Sequence, residues 1–194
     1  MNIYDFDGTV YKGDSTVDLY KFLIKRHPLI LRRIPVFAFK TLGHKAGKCS
    51  TTEWKTCFFG FLKDIDDIES EIKLFWKKNM KNIYRWYMDQ RKSDDVIISA
   101  SPEFLLKQPC KALGAGTLIA SKVDMKTGRF DGLNCKGEEK VKRFRALFPD
   151  EKADSFYSDS LSDLPMAKIS ERAYLIKNGE IIDWKIVKGE EKND

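Results

Sequence analysis

Two aspartates near the amino terminus have the residue type and spacing that acid–base or nucleophilic chemistry requires. Asp5 and Asp7 lie in the segment YDFDGTV, after a short apolar run and before a Gly-Thr turn. Residues two apart in an extended backbone project to the same side, so both carboxylates can meet one substrate. Acidic residues beside turns also cap backbone groups, and for these two residues taken alone capping is the better explanation.

Three further polar fragments change that balance. Ser99 ends an apolar run in VIISASPEF, where residues 101–103 (Ser-Pro-Glu) are typical of a cap followed by proline at the first helical position. Lys140 lies near the start of a predicted helix in NCKGEEKVKRF, and Asp159 and Asp163 follow another apolar run in SFYSDSLSDLPM. Carboxylates combined with a lysine and hydroxyls indicate magnesium-assisted phosphoryl transfer, because Mg²⁺ prefers oxygen ligands and lysine balances phosphate charge.

The elements that must position these fragments follow from the apolar pattern. Short apolar runs predict strands at residues 2–4, 95–99, 117–120, 155–157 and 173–176, and helices are predicted at residues 102–113, 138–147 and 164–169. Strands that alternate with helices predict an α/β fold with a parallel sheet. Turns at Thr127-Gly128 and Asn178-Gly179 predict two hairpins added at its edge.

A long interval without strand signals separates the first predicted strand from the second. Residues 15–90 show apolar residues at helical spacing, including Val17, Tyr20 and Leu23, and Ser15 or Thr16 could cap the first helix. We therefore predict a helical insertion between the first two strands.

Composition narrows the class of protein. The 194 residues are 42% hydrophobic and 33% charged with mixed sign, which argues against wholesale disorder. A net charge of +6 favours anionic partners, and four cysteines without zinc-ligand spacing argue against a metal–thiolate or disulfide framework. No secretory signal or membrane-spanning run is expected, so a cytoplasmic location is predicted, and the charged tail at 188–194 is expected to fray.

Together the four fragments resemble a known family. The ordered set DFDGT, SAS, GEEK and SDSLSDLP is similar to the haloacid dehalogenase superfamily of phosphatases, in particular its phosphoserine-phosphatase-like branch. Ser158-Asp159-Ser160 stands where that branch usually has Gly-Asp-Gly. The resemblance implies a Rossmann-like core formed by residues 1–14 and 91–194, and an α-helical cap domain at residues 15–90.

The resemblance also implies a role for each matched residue. Asp5 would be the nucleophile that forms an aspartyl-phosphate, and Asp7 would be the general acid and then the general base. Ser99, Ala100 and Lys140 would hold the phosphoryl oxygens.

A Mg²⁺ ion would be held by Asp5, Asp7 (through its backbone carbonyl) and Asp159, and Asp163 would order the metal's water or the active-site lysine. Asp14 matches the position of a substrate-binding glutamate in phosphoserine phosphatases. It could bind substrate or cap the helix that follows, and the two interpretations are equally supported.

The sequence therefore predicts a magnesium-dependent phosphatase whose substrate is a small phosphorylated metabolite. Two alternatives stay open: a lipid-phosphate phosphatase that acts at a membrane surface, and a non-catalytic basic module that binds nucleic acid. We expect no nucleic-acid partner, because none of the matched catalytic positions is missing.

The membrane alternative depends on one segment. Residues 24–48, IKRHPLILRRIPVFAFKTLGHKAGK, mix seven Lys and Arg residues with bulky apolar residues, a composition that can lie on an anionic bilayer. A cap helix with a solvated basic side is the interpretation that the sequence favours.

Overall fold

The computed structural model describes residues 1–184 and contains one six-stranded sheet. Its strand order is β3-β2-β1-β4-β5-β6, in which β1 to β5 pair in parallel and β6 pairs antiparallel with β5. The strands are β1 Asn2–Tyr4, β2 Val96–Pro102, β3 Thr117–Ser121, β4 Ala153–Ser158, β5 Ser170–Lys177 and β6 Glu180–Asp183. The predicted α/β fold class is confirmed.

Helices cover both faces of this sheet. They are α1 Ser15–Arg26, α2 Ile34–Lys45, α3 Thr51–Phe58, α4 Ile68–Asn79, α5 Arg85–Gln90, α6 Glu103–Leu113, α7 Glu138–Leu147 and α8 Leu164–Ile169. Short 3₁₀ helices lie at Pro28–Arg33, Phe59–Asp64, Met80–Asn82 and Leu161–Asp163. All the regular structure between residues 15 and 90 is helical, as the sequence predicted.

The apolar residues of the strands alternate between two cores. Ile3, Val96 and Ile98 belong to a cluster that includes residues of α7 and α8, whereas Tyr4 and Ile97 belong to a cluster that includes residues of α1, α4 and α6. This alternation is the period-two pattern of strands buried on both faces.

The helical insertion leaves and re-enters the sheet at one place. The amide of Lys12 donates to the carbonyl of Asn82 at 2.9 Å, and the amide of Tyr84 donates to the carbonyl of Val10 at 2.9 Å. The insertion also packs against α6, where the indole of Trp76 in α4 donates to the carbonyl of Leu105 at 2.7 Å.

Two cap predictions differ from the structure. Asp14, and neither Ser15 nor Thr16, caps α1, because its side chain accepts from the amide of Val17 at 2.9 Å. The sequence interpretation of Ser101 as a helix cap is wrong, since β2 continues through this residue with a register shift and α6 begins at Glu103 without a side-chain cap. The hydroxyl of Ser101 has a different partner, described below.

The two predicted hairpins have different outcomes. Asn178 and Gly179 have φ angles of 54° and 87° and join β5 to β6, as a type I′ turn requires. The turn at Thr127-Gly128 is flanked by a single antiparallel bridge, Val123 to Phe130, and the described residues form no strand there.

Strands β4 and β5 are longer than predicted. The prediction was too short because the added residues are mostly polar and carry no apolar signal. The structure does not describe residues 185–194, so the last part of the predicted core and the predicted fraying of the tail lie outside the described residues. Within residues 1–184, no helix combines the length and hydropathy needed to cross a bilayer.

Candidate active site

The polar fragments meet at the carboxyl ends of the central strands. Asp5 directly follows β1, and its amide donates to the carbonyl of Tyr157 in the neighbouring strand β4 at 2.8 Å. Ser99 lies in β2 on the other side of β1, and Asp159 directly follows β4. The chain passes from β1 outward to β2 and β3 and then returns to β4 on the other side of β1, so the strand order reverses beside β1, at the switch point where α/β sheets bind ligands.

A buried lysine joins two of these carboxylates. Lys140 is 1% exposed, and its Nζ lies 3.1 Å from Oδ1 of Asp5 and 2.7 Å from Oδ2 of Asp163. Ser158 donates from Oγ to the same Asp163 oxygen at 2.8 Å. These contacts hold the lysine side chain beside Asp5, the residue for which the sequence predicts a nucleophilic role.

Burial and the attraction between Lys140 and Asp5 have opposite effects on the pKa values of these two groups. Burial lowers the pKa of Lys140, but Asp5 and Asp163 attract the ammonium group more strongly, so its pKa is raised and it stays charged. Burial raises the pKa of Asp5 to about 7, against the attraction of Lys140 and with the help of the neighbouring carboxylates of Asp163, Asp7 and Asp159. A cation bound beside Asp5 would return it to the ionised form.

Asp7 is held by the start of the insertion and by the end of β2. Its Oδ1 accepts from the amide of Ser15 at 2.7 Å, and its Oδ2 accepts a short hydrogen bond from the hydroxyl of Ser101. Burial raises the pKa of Asp7 to about 6, the negative charge of Asp14 adds to this effect, and the two hydrogen bonds oppose it. The carboxyl group therefore titrates nearer to neutral pH than an ordinary aspartate does.

The predicted phosphate-binding residues of β2 line the same end of the sheet. Ser99 is 1% exposed and accepts from the amide of Ser101 at 3.1 Å. The carbonyl of Ala100 accepts from Ser121 Oγ at 3.0 Å and from Lys55 Nζ at 3.2 Å. Phosphate binding by Ser99 and Ala100 stays a prediction.

The backbone conformation of Gly8 and its close approach to Asp159 require a glycine in the first motif. Its φ is +69°, in the left-handed region that other residues rarely adopt, and a Cβ at this position would overlap the carboxylate of Asp159. The close approach brings the loop after β1 against the loop after β4. It therefore places Asp159 next to the segment that contains Asp5 and Asp7.

The donor set suits a hard cation that retains water ligands. Within residues 1–184, no three His, Cys, Asp or Glu side chains form a ready-made metal site. The candidate ligands are two carboxylates, Asp5 and Asp159, with the backbone carbonyl of Asp7, and Mg²⁺ is commonly bound through one or two carboxylates together with water and substrate phosphate. Oδ1 of Asp163 is buried and has no hydrogen-bond partner among residues 1–184, which leaves one more oxygen for an ordered water.

The two serines that replace the usual glycines are accommodated without strain. Within the described residues, Asn178 alone among non-glycine residues has a positive φ, so Ser158 and Ser160 adopt ordinary backbone conformations. Ser158 Oγ accepts from the amide of Ser160 at 3.2 Å and donates to Asp163. The replacement thus adds a hydroxyl that orients Asp163.

Besides Ser101, Lys55 is a residue of the site that was not predicted from the sequence. Lys55 in α3 reaches from the insertion to the core, where its Nζ donates to Oδ1 of Asn134 at 2.9 Å as well as to Ala100. Burial lowers its pKa, while the charges of Asp14, Asp7 and Asp5 act in the opposite direction. The segment TTEWKTCF shows no motif, so no local signal in the sequence marks this lysine.

Asp14 occupies the edge of the site. Its carboxylate is exposed and caps α1, as one of the two interpretations of the sequence proposed, and it lies close enough to raise the pKa of Asp7. The capping contact is therefore sufficient to explain why an aspartate occurs at this position, and a role of Asp14 in substrate binding stays a prediction.

Comparison with known proteins places this site in a family. The family model for haloacid dehalogenase-like hydrolase matches residues 3–168, so the chain belongs to that family and is an enzyme of the haloacid dehalogenase type. Protein CicA of Caulobacter vibrioides is 28% identical over 199 aligned residues, which cover 91% of this chain and 86% of that protein.

Solved structures share the fold at low sequence identity. A Bordetella pertussis protein of unknown function has a TM-score of 0.72 and 21% identity, covering 89% of this chain and 87% of its own. A phosphoserine phosphohydrolase-like protein of Francisella tularensis has a TM-score of 0.55 and 16% identity, covering 89% and 86%. The predicted similarity to the phosphoserine-phosphatase-like branch is confirmed at the level of the fold.

Proposed function

We propose that this protein is a magnesium-dependent phosphatase that hydrolyses a phosphate monoester of a small metabolite through an aspartyl-phosphate intermediate. The observation that carries the proposal is the Asp5 carboxylate, held 3.1 Å from the buried ammonium group of Lys140. The second carboxylate, Asp7, follows two residues later. A nucleophile beside a fixed cation and a proton carrier are the groups that such a two-step hydrolysis needs.

The contacts of Asp5 indicate which of its oxygens attacks. Oδ1 accepts from the amide of Phe6 at 2.8 Å and contacts Lys140, so we assign the attack on phosphorus to Oδ2. The P–O bond to the leaving alcohol breaks as the Asp5–phosphorus bond forms. Lys140 and Ser99 would bind the phosphoryl oxygens at this stage.

Asp7 would transfer the proton in both half-reactions. It protonates the leaving alcohol, and it then accepts a proton from the water that attacks the aspartyl-phosphate, which releases phosphate and restores Asp5. Burial raises the pKa of Asp7 to about 6, so the carboxyl group holds a proton nearer to neutral pH than an ordinary aspartate does. Its hydrogen bond from Ser101 keeps the carboxyl group in place.

Mg²⁺ would be held by Asp5, Asp159 and the carbonyl of Asp7, with Asp163 ordering one of its waters. When bound, it would reduce the repulsion between the Asp5 carboxylate and the phosphate dianion. The positive charge of Lys140 would reduce the same repulsion.

Residues 15–90 would form a cap over this core formed by residues 1–14 and 91–194. The hydrogen bonds at Lys12 and Tyr84 place both ends of the insertion together, and Lys55 extends from α3 to the loops around the site. An element with adjacent ends and a contact at the site can close over the substrate and exclude water.

A matched pair of variants tests the proposal. Purified protein is assayed with p-nitrophenyl phosphate and a panel of phosphate esters, with Mg²⁺ or with EDTA. We expect Mg²⁺-dependent release of phosphate, its loss in Asp5→Asn, and its retention in Asp150→Asn, which removes an exposed carboxyl group elsewhere. Activity that survives Asp5→Asn would exclude the mechanism.

A second candidate substrate is a phosphate ester carried by a lipid. The observation in its favour is that α2 has no buried residue and exposes large apolar side chains such as Phe39 and Leu42. Including a lipid phosphate in mixed micelles in the substrate panel distinguishes the two candidates.

A further inference from the structure

An unusually apolar surface lies on the insertion, away from the sheet. Six of the thirteen large exposed apolar side chains among residues 1–184 fall within fourteen consecutive positions. None of the residues of α2 is buried, although the helix is rich in apolar residues. The six side chains, which we call the α2 surface, are Leu29, Leu31, Ile34, Val36, Phe39 and Leu42.

The helix has a protein-facing side and an opposite side. Phe37, Thr41 and His44 recur at helical spacing and contact Trp54 of α3, including a 2.9 Å hydrogen bond from the Trp54 indole to Thr41. Phe39 and Leu42 lie on the opposite side of the helix and are 80% and 67% exposed. The exposed side of α2 is thus apolar, where the sequence interpretation expected a solvated basic side.

The surroundings of the α2 surface are positively charged. Residues 19–52 contain eight Lys and Arg residues and no Asp or Glu. Arg32 and Arg33 are paired with Asp64, at 2.6 Å and 2.5 Å, whereas Lys45 and Lys48 are exposed beyond the end of the apolar row. An apolar row that is followed by two lysines without a salt-bridge partner within residues 1–184 is complementary to a bilayer that contains anionic lipids.

We propose that the α2 surface binds peripherally to anionic membranes, with Phe39 and Leu42 inserted at the acyl boundary and Lys45 and Lys48 at the lipid phosphates. A second copy of the chain is a less suitable occupant, because symmetric contact through this surface would bring two acid-free basic segments together. A bilayer instead supplies both the apolar interior and the negative charge.

The α2 surface is connected to the active site through helix α3. Trp54 packs against α2, and the next residue, Lys55, reaches the carbonyl of Ala100 at the site. Membrane binding through α2 would therefore hold the active site one helix away from the bilayer surface.

Vesicle cosedimentation tests the proposal without requiring turnover, so its outcome is independent of the proposed phosphatase activity. The full chain is mixed with vesicles of phosphatidylcholine alone or with phosphatidylglycerol added. We expect binding only with phosphatidylglycerol, weakened by salt. Phe39→Ser/Leu42→Ser should lower the partition coefficient on the order of tenfold or more, and Lys45→Gln/Lys48→Gln should lower it by about fivefold for each lysine.

Matched control variants distinguish binding through the α2 surface from non-specific binding to vesicles. Leu147→Ser/Ile181→Ser removes two exposed apolar residues elsewhere, and Lys152→Gln removes an exposed lysine from another part of the chain. These variants should bind as the native protein does, and circular dichroism verifies that every variant is folded. The proposal is overturned if the native protein does not bind, if the controls lose binding equally, or if Phe39→Ser/Leu42→Ser dissolves a dimer that binds no lipid.

Discussion

Replacing Gly8 with alanine separates the backbone requirement of the first motif from its contact with Asp159. A φ of +69° costs an L-residue about 1–2 kcal/mol, which for a chain of this length lowers the melting temperature by roughly 2–8 °C. Of the three nearest atoms, Oδ2 and Cγ of Asp159 can move away by rotation of the side chain, and only its Cβ, at 3.0 Å, has to shift by a few tenths of an ångström. The collision should therefore cost little stability, but it should displace the carboxylate that we assign to the metal.

Gly47→Ala is the matched control, because Gly47 has a φ of +71° and a Cβ there would meet nothing within 4 Å. Both variants should lose similar stability in thermal unfolding followed by circular dichroism. Gly8→Ala alone should need roughly ten to a hundred times more Mg²⁺ for half-maximal hydrolysis of p-nitrophenyl phosphate. An unchanged Mg²⁺ requirement in Gly8→Ala, or an equal change in both variants, would refute this account of Gly8 and Asp159.

Three further predictions follow from other contacts. Lys140→Met leaves Asp163 buried without its cation and should lower the free energy of unfolding in urea by about 3 kcal/mol or more; an unchanged midpoint would contradict this. Arg33 and Arg32 lower the pKa of Asp64 from 3.8 to about 2. The stabilisation of the fold by the ionised Asp64 is therefore present above pH 4 and is lost as the pH falls toward 2. Asp64→Asn should remove about 1–2 kcal/mol of this acid-dependent stability, a discounted figure because one partner is exposed, and parallel pH profiles of the two proteins would argue against it. Lys55→Met should lower kcat/KM for p-nitrophenyl phosphate about tenfold, because a charged donor to two acceptors is lost, and native kinetics would show that α3 need not be held at the site.

The order of elements was predictable because strands buried on both faces leave continuous apolar runs. Val96 to Ile98 and the runs around Phe156 and Leu175 are of this kind, and each lies in the sheet. The full extents of β4 and β5 were not predictable, since the residues beyond the predicted bounds, 153–154, 158, 170–172 and 177, are mostly polar and owe their conformation to pairing with the neighbouring strand.

The helix boundary after β2 shows how a tertiary contact overrides a local signal. Ser-Pro-Glu at residues 101–103 is a good cap sequence, yet Ser101 remains in the strand and its hydroxyl bonds to Asp7. The partner lies 94 positions earlier in the chain, so no local pattern reveals it.

The sequence alone determined which residue types are available for chemistry and which predicted strand or helix each one follows or lies in. Motif order was sufficient to predict that Asp5, Asp7, Asp159 and Asp163 meet at one edge of the sheet, because the carboxyl ends of parallel strands converge wherever such a sheet forms. Lys140, which lies in α7, was predicted through the family resemblance, and the roles of all five residues stay predictions. Only the tertiary structure decided that Lys55 joins the site, and that the exposed side of α2 is apolar. Both depend on how helices of the insertion rotate and pack against their neighbours, and the apolar pattern of a single helix leaves that rotation undetermined.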